Sequence, residues 1–145
     1  MNLNACFSSK KMDYGTPRRL FEELNDEFEF TIDVAASSEN AKCARFYSEK
    51  DDGLSKSWEG EVVFCNPPYG KELPKWVKKA AEEAKHATVV MLIPARTDTS
   101  YWHDYIFENE AEVRFLRGRL VFEGANSAAP FPSAVVIFRD RRKQC

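Results

Sequence analysis

Two short apolar runs with an amphipathic segment between them constrain the fold of this chain more than any other feature. Residues 62–65 are apolar on both faces, as in the central strand of a parallel sheet. Residues 71–86 carry apolar side chains at helical spacing, and residues 88–93 form the second apolar run. The order strand, helix, strand predicts an α/β fold with a parallel sheet.

The residues before this unit add one more helix and one more strand. Thr16 places a capping hydroxyl before Pro17, which predicts the start of an amphipathic helix. Residues 30–34 alternate as in a strand, and a short helix is expected over residues 40–46. This part of the chain continues the alternation of helices and strands.

The residues after this unit are mostly strands. A short helix is expected over residues 100–107, and Gly118 marks a turn. Three further strands are predicted, over residues 113–116, 120–122 and 134–138. Strand following strand indicates that a mostly parallel sheet ends in an antiparallel C-terminal edge.

The length and composition predict one soluble globular domain. The chain has 145 residues, of which 43% are hydrophobic and 30% charged. We expect a flexible N-terminal segment over residues 1–15, the domain over residues 16–139 and a basic tail over residues 140–145. No apolar stretch approaches the roughly 20 residues of a membrane span, so a cytoplasmic location is expected.

The cysteines and histidines do not form a metal-binding pattern. The four cysteines contain no Cys-x-x-Cys pair, and the two histidines lie far from them in sequence. We therefore predict no metal site and reduced thiols. Cys43 and Cys65 have apolar neighbours, which favours a place in the core over a nucleophilic role.

Positive charge is concentrated near the C-terminus, although the formal net charge is −2. From residue 111 onward, seven basic residues stand against three acidic ones. The basic residues are Arg114, Arg117, Arg119, Arg139, Arg141, Arg142 and Lys143. They predict a basic end face that could contact phosphate, with a solubilising tail as the alternative for the last three.

The tetrapeptide Asn66-Pro67-Pro68-Tyr69 follows the first apolar run and is the main candidate site. The exocyclic amine of a purine or pyrimidine base is a poor nucleophile because its lone pair is delocalised. An enzyme that alkylates this amine must therefore accept hydrogen bonds from both of its N–H groups. The Asn66 side-chain oxygen and the Pro67 carbonyl are the two predicted acceptors. An exposed Tyr69 ring would stack on the planar base. The alternatives are a plain turn or a ligand for a proline-binding domain.

The ordered set of motifs resembles the phage-encoded DNA N6-adenine methyltransferase family, which uses S-adenosylmethionine. The resemblance runs from about residue 14 to residue 138. Its segments are Thr16-Pro17 with Leu20-Phe21, residues 30–36, Asn40-Ala41-Lys42-Cys43, Asp52-Gly53-Leu54 with Trp58, residues 63–70, residues 91–99, residues 114–120 and residues 129–133.

This resemblance implies an abbreviated Rossmann-like class I methyltransferase fold and a methyl transfer to an adenine flipped out of DNA. It implies a catalytic loop of Asn66, Pro67, Pro68 and Tyr69. The cofactor-binding residues that it implies are Thr16, Pro17, Asp33, Val34, Ala35 and Asp52. Helix capping is the alternative for Thr16, and a structural hydrogen bond is the alternative for Asp33.

The segment after the first strand departs from the broader methyltransferase pattern. A Gly-x-Gly turn usually follows this strand, whereas Ala35-Ala36-Ser37-Ser38 stands here. Asp33 and Asn66 are also close in sequence. We therefore expect the cofactor half of the sheet to be abbreviated.

Four polar residues beyond the strands are candidates for DNA contact. Arg96 and Thr97 follow the third strand, where an arginine could meet phosphate, and an ion pair with Asp98 or a capping cluster is the alternative. Arg117 and Arg119 flank the predicted turn, where an ordinary charged hairpin is the alternative.

The expected partners are double-stranded DNA and S-adenosylmethionine, in a phage or prophage protein of a bacterial host. So small an enzyme could need a second copy to grip a duplex, so a homodimer is considered. Cytosine N4 methylation, methylation of a protein glutamine and an inactive DNA-binding relic of the fold remain as alternatives.

Overall fold

The centre of the fold is a five-stranded sheet. The computed structural model describes residues 14–143. The strands are β1 (Ile32–Asp33), β2 (Val62–Cys65), β3 (Thr88–Pro94), β4 (Glu112–Phe115) and β5 (Ser133–Phe138). Their order across the sheet is β1-β2-β3-β5-β4.

The sheet changes from parallel to antiparallel pairing at its longest strand. β1, β2 and β3 pair in parallel, whereas β5 pairs antiparallel with both β3 and β4. This arrangement confirms the expected methyltransferase-like α/β fold with an antiparallel C-terminal edge. β1 contains only two residues and pairs with β2 alone among the named strands, so the expected abbreviation is visible at that edge.

The two α-helices lie where the apolar periodicity predicts them. The α-helices are α1 (Arg18–Phe28) and α2 (Leu73–Glu83), with 3-10 helices at Gly53–Ser55 and Arg141–Lys143 and a π-helix at Trp102–Phe107. Phe21 and Leu24 of α1 are buried. The predicted apolar stripe of α2 is buried throughout: Leu73, Trp76, Val77, Ala80, Ala81 and Ala84.

Two predicted elements are wrong. Residues 40–46 form turns and bends rather than a helix. Instead, residues 45–47 pair with the backbone of Asp33, whose N–H donates to the carbonyl oxygen of Arg45 at 3.1 Å and whose carbonyl oxygen accepts the N–H of Tyr47 at 2.9 Å. Residues 120–122 do not form a strand, and the Leu120 carbonyl oxygen accepts the N–H of Ala129.

Residues next to both ends of the predicted domain pack against it. Gly15 forms an isolated antiparallel bridge with Glu123, although the sequence predicts a flexible segment up to residue 15. Residues 1–13 of that segment lie outside the described residues. At the other end, Asp140 is buried and Arg142 donates to the carbonyl oxygen of His86. No helix within residues 14–143 is long and apolar enough to cross a bilayer.

Candidate active site

Several predicted site residues lie at one end of the sheet, where the parallel strands have their carboxyl ends. Val34, Asn66 and Ala95 follow the carboxyl ends of β1, β2 and β3, which are parallel. β4 runs in the same direction as β3 because both are antiparallel to β5. Arg117 therefore also emerges at this end, where open α/β sheets bind ligands.

Both amide hydrogens of Asn66 are directed at acceptors of the protein. Its Nδ2 donates to the carbonyl oxygen of Tyr14 and, at 2.9 Å, to Oγ1 of Thr16. Its Oδ1 is buried and accepts no hydrogen bond from any of residues 14–143. Asn66 thus presents an unused acceptor at the end of β2, as the predicted chemistry requires.

The two prolines after Asn66 supply a second acceptor without adding a donor. Pro67 is buried and Pro68 is partly buried. Neither has a backbone N–H, and in the described part of the chain no group donates to the Pro67 carbonyl. The acceptor-rich character expected of this loop is therefore present.

Tyr69 is buried, and the prediction of an exposed ring is wrong. Only 6% of its surface is accessible, and its hydroxyl donates to the carbonyl oxygen of Leu92 at 3.0 Å. Tyr14 stacks on the ring with a centroid distance of 5.1 Å, and Phe122 and Phe131 pack edge-on. Burial raises the pKa of the phenol, so it remains a neutral donor.

Three aromatic side chains around Tyr69 were not predicted as site residues. Tyr14, Phe122 and Phe131 also contact one another, with centroid distances between 5.0 and 6.1 Å. All three come from irregular segments, where no periodicity marks a buried side chain. One of the three, Phe131, lies in the Pro130-Phe131-Pro132 segment that forms part of the family resemblance, but no role was assigned to that segment.

A small pocket lies beside the Asn66 amide on the β1 side. Its lining includes Thr16, Asp33, Ala35, Lys42 and Asn66. The space for water-sized molecules is about 30 Å³, which is enough for about two waters. The carboxylate, amide and hydroxyl groups suit a polar cofactor, but a molecule of cofactor size fits only if the surrounding segments separate.

The Asp33 carboxylate holds the loop that follows β1. Its oxygens accept the backbone N–H groups of Ala35 at 3.3 Å and Lys42 at 3.1 Å. Burial raises the pKa of Asp33, and these two hydrogen bonds oppose the rise. Asp33 therefore forms the structural hydrogen bonds that were the alternative to a cofactor-binding role, and it also lines the pocket.

An ion pair between Lys42 and Glu123 lies beside the pocket. Lys42 Nζ lies 2.6 Å from Oε1 of Glu123, and only 3% of the Lys42 side chain is exposed. The backbone N–H of Glu123 donates to the carbonyl oxygen of Gly15 at 2.8 Å. Three separate segments are thus joined around the pocket.

Three residues of the predicted cofactor set do not line this pocket. Pro17 is the N-cap residue of α1, and Val34 is fully buried with its N–H bonded to Phe64. Asp52 is exposed and has a left-handed φ of 57°. The structure brings together Thr16, Asp33 and Ala35 and leaves these three apart from them.

The four predicted DNA-contact residues are exposed near the same end of the sheet. The Arg96 guanidinium lies 5.7 Å from the centre of the Phe131 ring, and within residues 14–143 it forms no ion pair with Asp98. In the same range, Arg117 and Arg119 form no ion pair with any carboxylate. Their charges are available to a ligand.

The predicted basic end face is smaller than the sequence indicates. Arg114 forms bidentate hydrogen bonds with Glu27, and Arg139 pairs with Glu112 at 2.7 Å. Arg142 pairs with Asp140 at 3.1 Å. Acidic side chains therefore neutralise these arginines: Glu27 and Glu112 come from other segments, and Asp140 lies two residues before Arg142.

The described part of the chain contains no group of three or more side chains suited to a metal ion.

Cys65 is fully buried, and burial raises the pKa of its thiol well above the usual value. Burial also raises the pKa of Cys43 to about 11. Neither cysteine is poised to act as a thiolate nucleophile.

Two phage proteins are similar in sequence to this chain over most of its length. A protein from Escherichia phage T1 named DNA N-6-adenine-methyltransferase is 34% identical over 110 residues, which cover 74% of this chain and 45% of that protein. A protein of the same name from Haemophilus phage HP1 is 28% identical over 130 residues, which cover 86% of this chain and 70% of that protein. The chain thus spans less than half of the phage T1 protein.

The model of the DNA N-6-adenine-methyltransferase (Dam) family matches residues 6–144. This range contains every element of the sheet and every predicted site residue. The resemblance inferred from the motifs is confirmed, and the chain belongs to the DNA N-6-adenine-methyltransferase (Dam) family.

Proposed function

We propose that this chain transfers a methyl group from S-adenosylmethionine to the exocyclic N6 amine of an adenine flipped out of double-stranded DNA. The observation that carries the proposal is the unpartnered Oδ1 of Asn66, which lies buried at the carboxyl end of β2. Membership of the family supports the choice of reaction, and the phage relatives bear the corresponding name.

The catalytic role of the loop is to accept both hydrogens of the target amine. Asn66 Oδ1 takes one N–H and the Pro67 carbonyl takes the other, which leaves the nitrogen lone pair directed away from the loop. The amine nitrogen would form a bond to the methyl carbon that the cofactor supplies when bound, while the bond from that carbon to the cofactor sulfur breaks and its electron pair stays on the neutral thioether that leaves. The nitrogen then loses a proton to solvent, so a strong general base is not required.

The cofactor would bind in the pocket that Thr16, Asp33 and Ala35 line. These residues lie beside Asn66, so a methyl group there would be near the amine. At about 30 Å³ the pocket must widen first. Pro17, Val34 and Asp52 also belong to the proposed cofactor set, but they do not line the pocket. Their proposed role is to fix the conformation of the segments that form it.

The base would stack on Tyr69 in place of the Tyr14 ring. Tyr14 covers that face at a centroid distance of 5.1 Å. A change in the Tyr14 side-chain rotamer uncovers it and leaves the Tyr14 carbonyl beside Asn66. The stack that Tyr14 forms with Tyr69 is thus replaced by a stack with the base, worth roughly 1–3 kcal/mol.

DNA phosphates would be bound by Arg96, Arg117 and Arg119, with Thr97 beside them. All four are exposed at the end of the sheet that carries Asn66. Double-stranded DNA is therefore the proposed partner, and a homodimer would extend the contact along the duplex. A cytoplasmic site of action in the bacterial host is the corresponding proposal for its location.

The test is incubation with radiolabelled S-adenosylmethionine and unmethylated duplex DNA, followed by digestion to nucleosides. We expect label in N6-methyladenine, its loss in Asn66→Ala and a large reduction in Tyr69→Ala. Label in N4-methylcytosine would assign the chain to cytosine methylation instead, and label in the glutamine of a protein substrate in a parallel incubation would assign it to that reaction. Calorimetric titration with S-adenosylhomocysteine addresses the inactive relic, because a relic would bind none.

A further inference from the structure

The segment before α1 holds the Asn66 amide through two hydrogen bonds. Thr16 is only 3% exposed, and its Oγ1 lies 2.9 Å from Asn66 Nδ2. The Tyr14 carbonyl accepts the other hydrogen. We propose that Thr16 is a positioning residue that, together with the Tyr14 carbonyl, holds the Asn66 amide fixed with Oδ1 toward the target amine. The inference rests on the proposed function of the Asn66 loop.

The two ends of a primary amide are nearly equal in size, so packing alone does not fix their orientation. Rotation by 180° would point the Asn66 NH₂ group at the substrate amine, where two donors would face each other. The reaction requires an acceptor at that place. Some feature of the protein must therefore disfavour the rotated state.

The Tyr14 carbonyl supplies that preference, because it can only accept and in the rotated state it would face the Asn66 carbonyl oxygen. Thr16 Oγ1 accepts the second hydrogen, so the amide is held at two points. Without the Thr16 hydroxyl only one of these hydrogen bonds remains, and the amide plane is less well fixed for the reaction.

The position of Thr16 follows from the elements on either side of it. Pro17 is the N-cap residue of α1, and no side chain caps this helix. The predicted capping role for Thr16 is therefore wrong, because its hydroxyl bonds to Asn66 instead. Before it, Gly15 is held by the backbone bond from Glu123. Thr16 is fixed between these two points.

The experiment compares Thr16→Val with Thr16→Ser at saturating DNA and cofactor. Valine has nearly the shape of threonine but offers no acceptor, whereas serine retains the hydroxyl. We expect Thr16→Val to lower kcat several-fold and Thr16→Ser to recover most of the rate. An unchanged kcat in Thr16→Val would overturn the inference. So would a loss confined to the affinity for S-adenosylhomocysteine, which would limit Thr16 to cofactor binding.

A second measurement does not depend on activity. The Asn66 side-chain N–H groups can be followed by ¹⁵N NMR, where their exchange with water should be slow in wild type and at least several-fold faster in Thr16→Val. Thr16→Ser should restore the slow exchange, and the Asn25 side-chain amide is the internal control. Equal exchange in wild type and Thr16→Val would overturn the inference. Slow exchange in a wild-type protein without adenine methylation would refute the proposed function while supporting the contact.

Discussion

The Tyr69 hydroxyl donates to the carbonyl oxygen of Leu92, which ties the Asn-Pro-Pro-Tyr loop to β3, the central strand of the sheet. The ring is buried among Tyr14, Phe122 and Phe131. Tyr69 therefore stabilises the loop in addition to its proposed contact with the base. Substitutions at this position change both properties, and two variants separate them.

Tyr69→Phe should keep the stacking face and lose one hydrogen bond. We expect the free energy of unfolding to fall by about 1 kcal/mol and the methylation rate to stay within a few-fold of wild type. Tyr69→Ala should cost about 3–5 kcal/mol because it leaves a cavity. Urea unfolding and initial rates measure the two effects. A folded Tyr69→Phe protein without activity would show that the hydroxyl itself takes part in the reaction.

Gly53 lies where no side chain fits. A Cβ at this position would stand 2.4 Å from the carbonyl oxygen of Val34 and 3.1 Å from the Trp76 ring. We expect Gly53→Ala to shift the loop after residue 48 and to lower stability by several kcal/mol. Gly60→Ala is the matched control, because it has a positive φ of 78° but open space around the Cβ. Its cost should be about 1 kcal/mol. Thermal unfolding of both variants tests this, and equal losses would contradict it.

Arg114 couples stability to pH on the surface formed by α1 and β4. Its hydrogen bonds lower the pKa of Glu27, and those of Arg139 and Arg114 lower the pKa of Glu112. A carboxylate with a lowered folded-state pKa contributes stability above its usual value of 4.5, and the contribution is lost as pH falls through the folded pKa. The contribution should be small because the groups are exposed.

Arg114→Met should therefore lower Tm at pH 7, and this difference should shrink as the pH falls below about 4.5 toward 3. Arg19→Met is the control, since Arg19 is highly exposed and lies 3.9 Å from Glu23. Its effect should be close to zero at both pH values. A difference for Arg114→Met that grows in acid would contradict the assignment.

Arg117 and Arg119 should contribute to DNA affinity through charge alone. We expect each glutamine substitution to weaken binding and to reduce the slope of log K against log salt by about 1. Arg139→Gln is the control, because Arg139 already pairs with Glu112. Fluorescence anisotropy at several salt concentrations gives the slopes. Unchanged slopes for both loop variants would place the DNA elsewhere.

The predicted elements that the structure confirms are those with strong periodicity. The apolar run at residues 62–65 is β2, and the stripe at residues 71–86 is the buried face of α2, because burial on a sheet or helix imposes a regular spacing on the sequence. The end of β2 also predicted that Asn66 lies at the carboxyl end of a parallel strand, and this is where the structure has it. Local sequence was sufficient for these features.

The surroundings of the site could not be predicted in the same way. Tyr14, Lys42 and Glu123 lie far apart in sequence and in irregular segments, so their contacts depend on the tertiary fold. Burial of Tyr69 follows from the Tyr14 ring rather than from its own neighbours. The wrong prediction of a helix at residues 40–46 has a similar cause, since residues 45–47 pair with the backbone of Asp33 instead.

The two-residue length of β1 gives the two halves of the sheet different resistance to local opening. β3 and β5 share six residue pairs, whereas β1 shares two with β2. Local unfolding costs less free energy where fewer backbone bonds and buried contacts must be broken. Opening of the loop after β1 is therefore expected to cost less free energy than separation of β2 from β3. In the proposed reaction, the cofactor side of the site would open more readily than the side that holds Asn66.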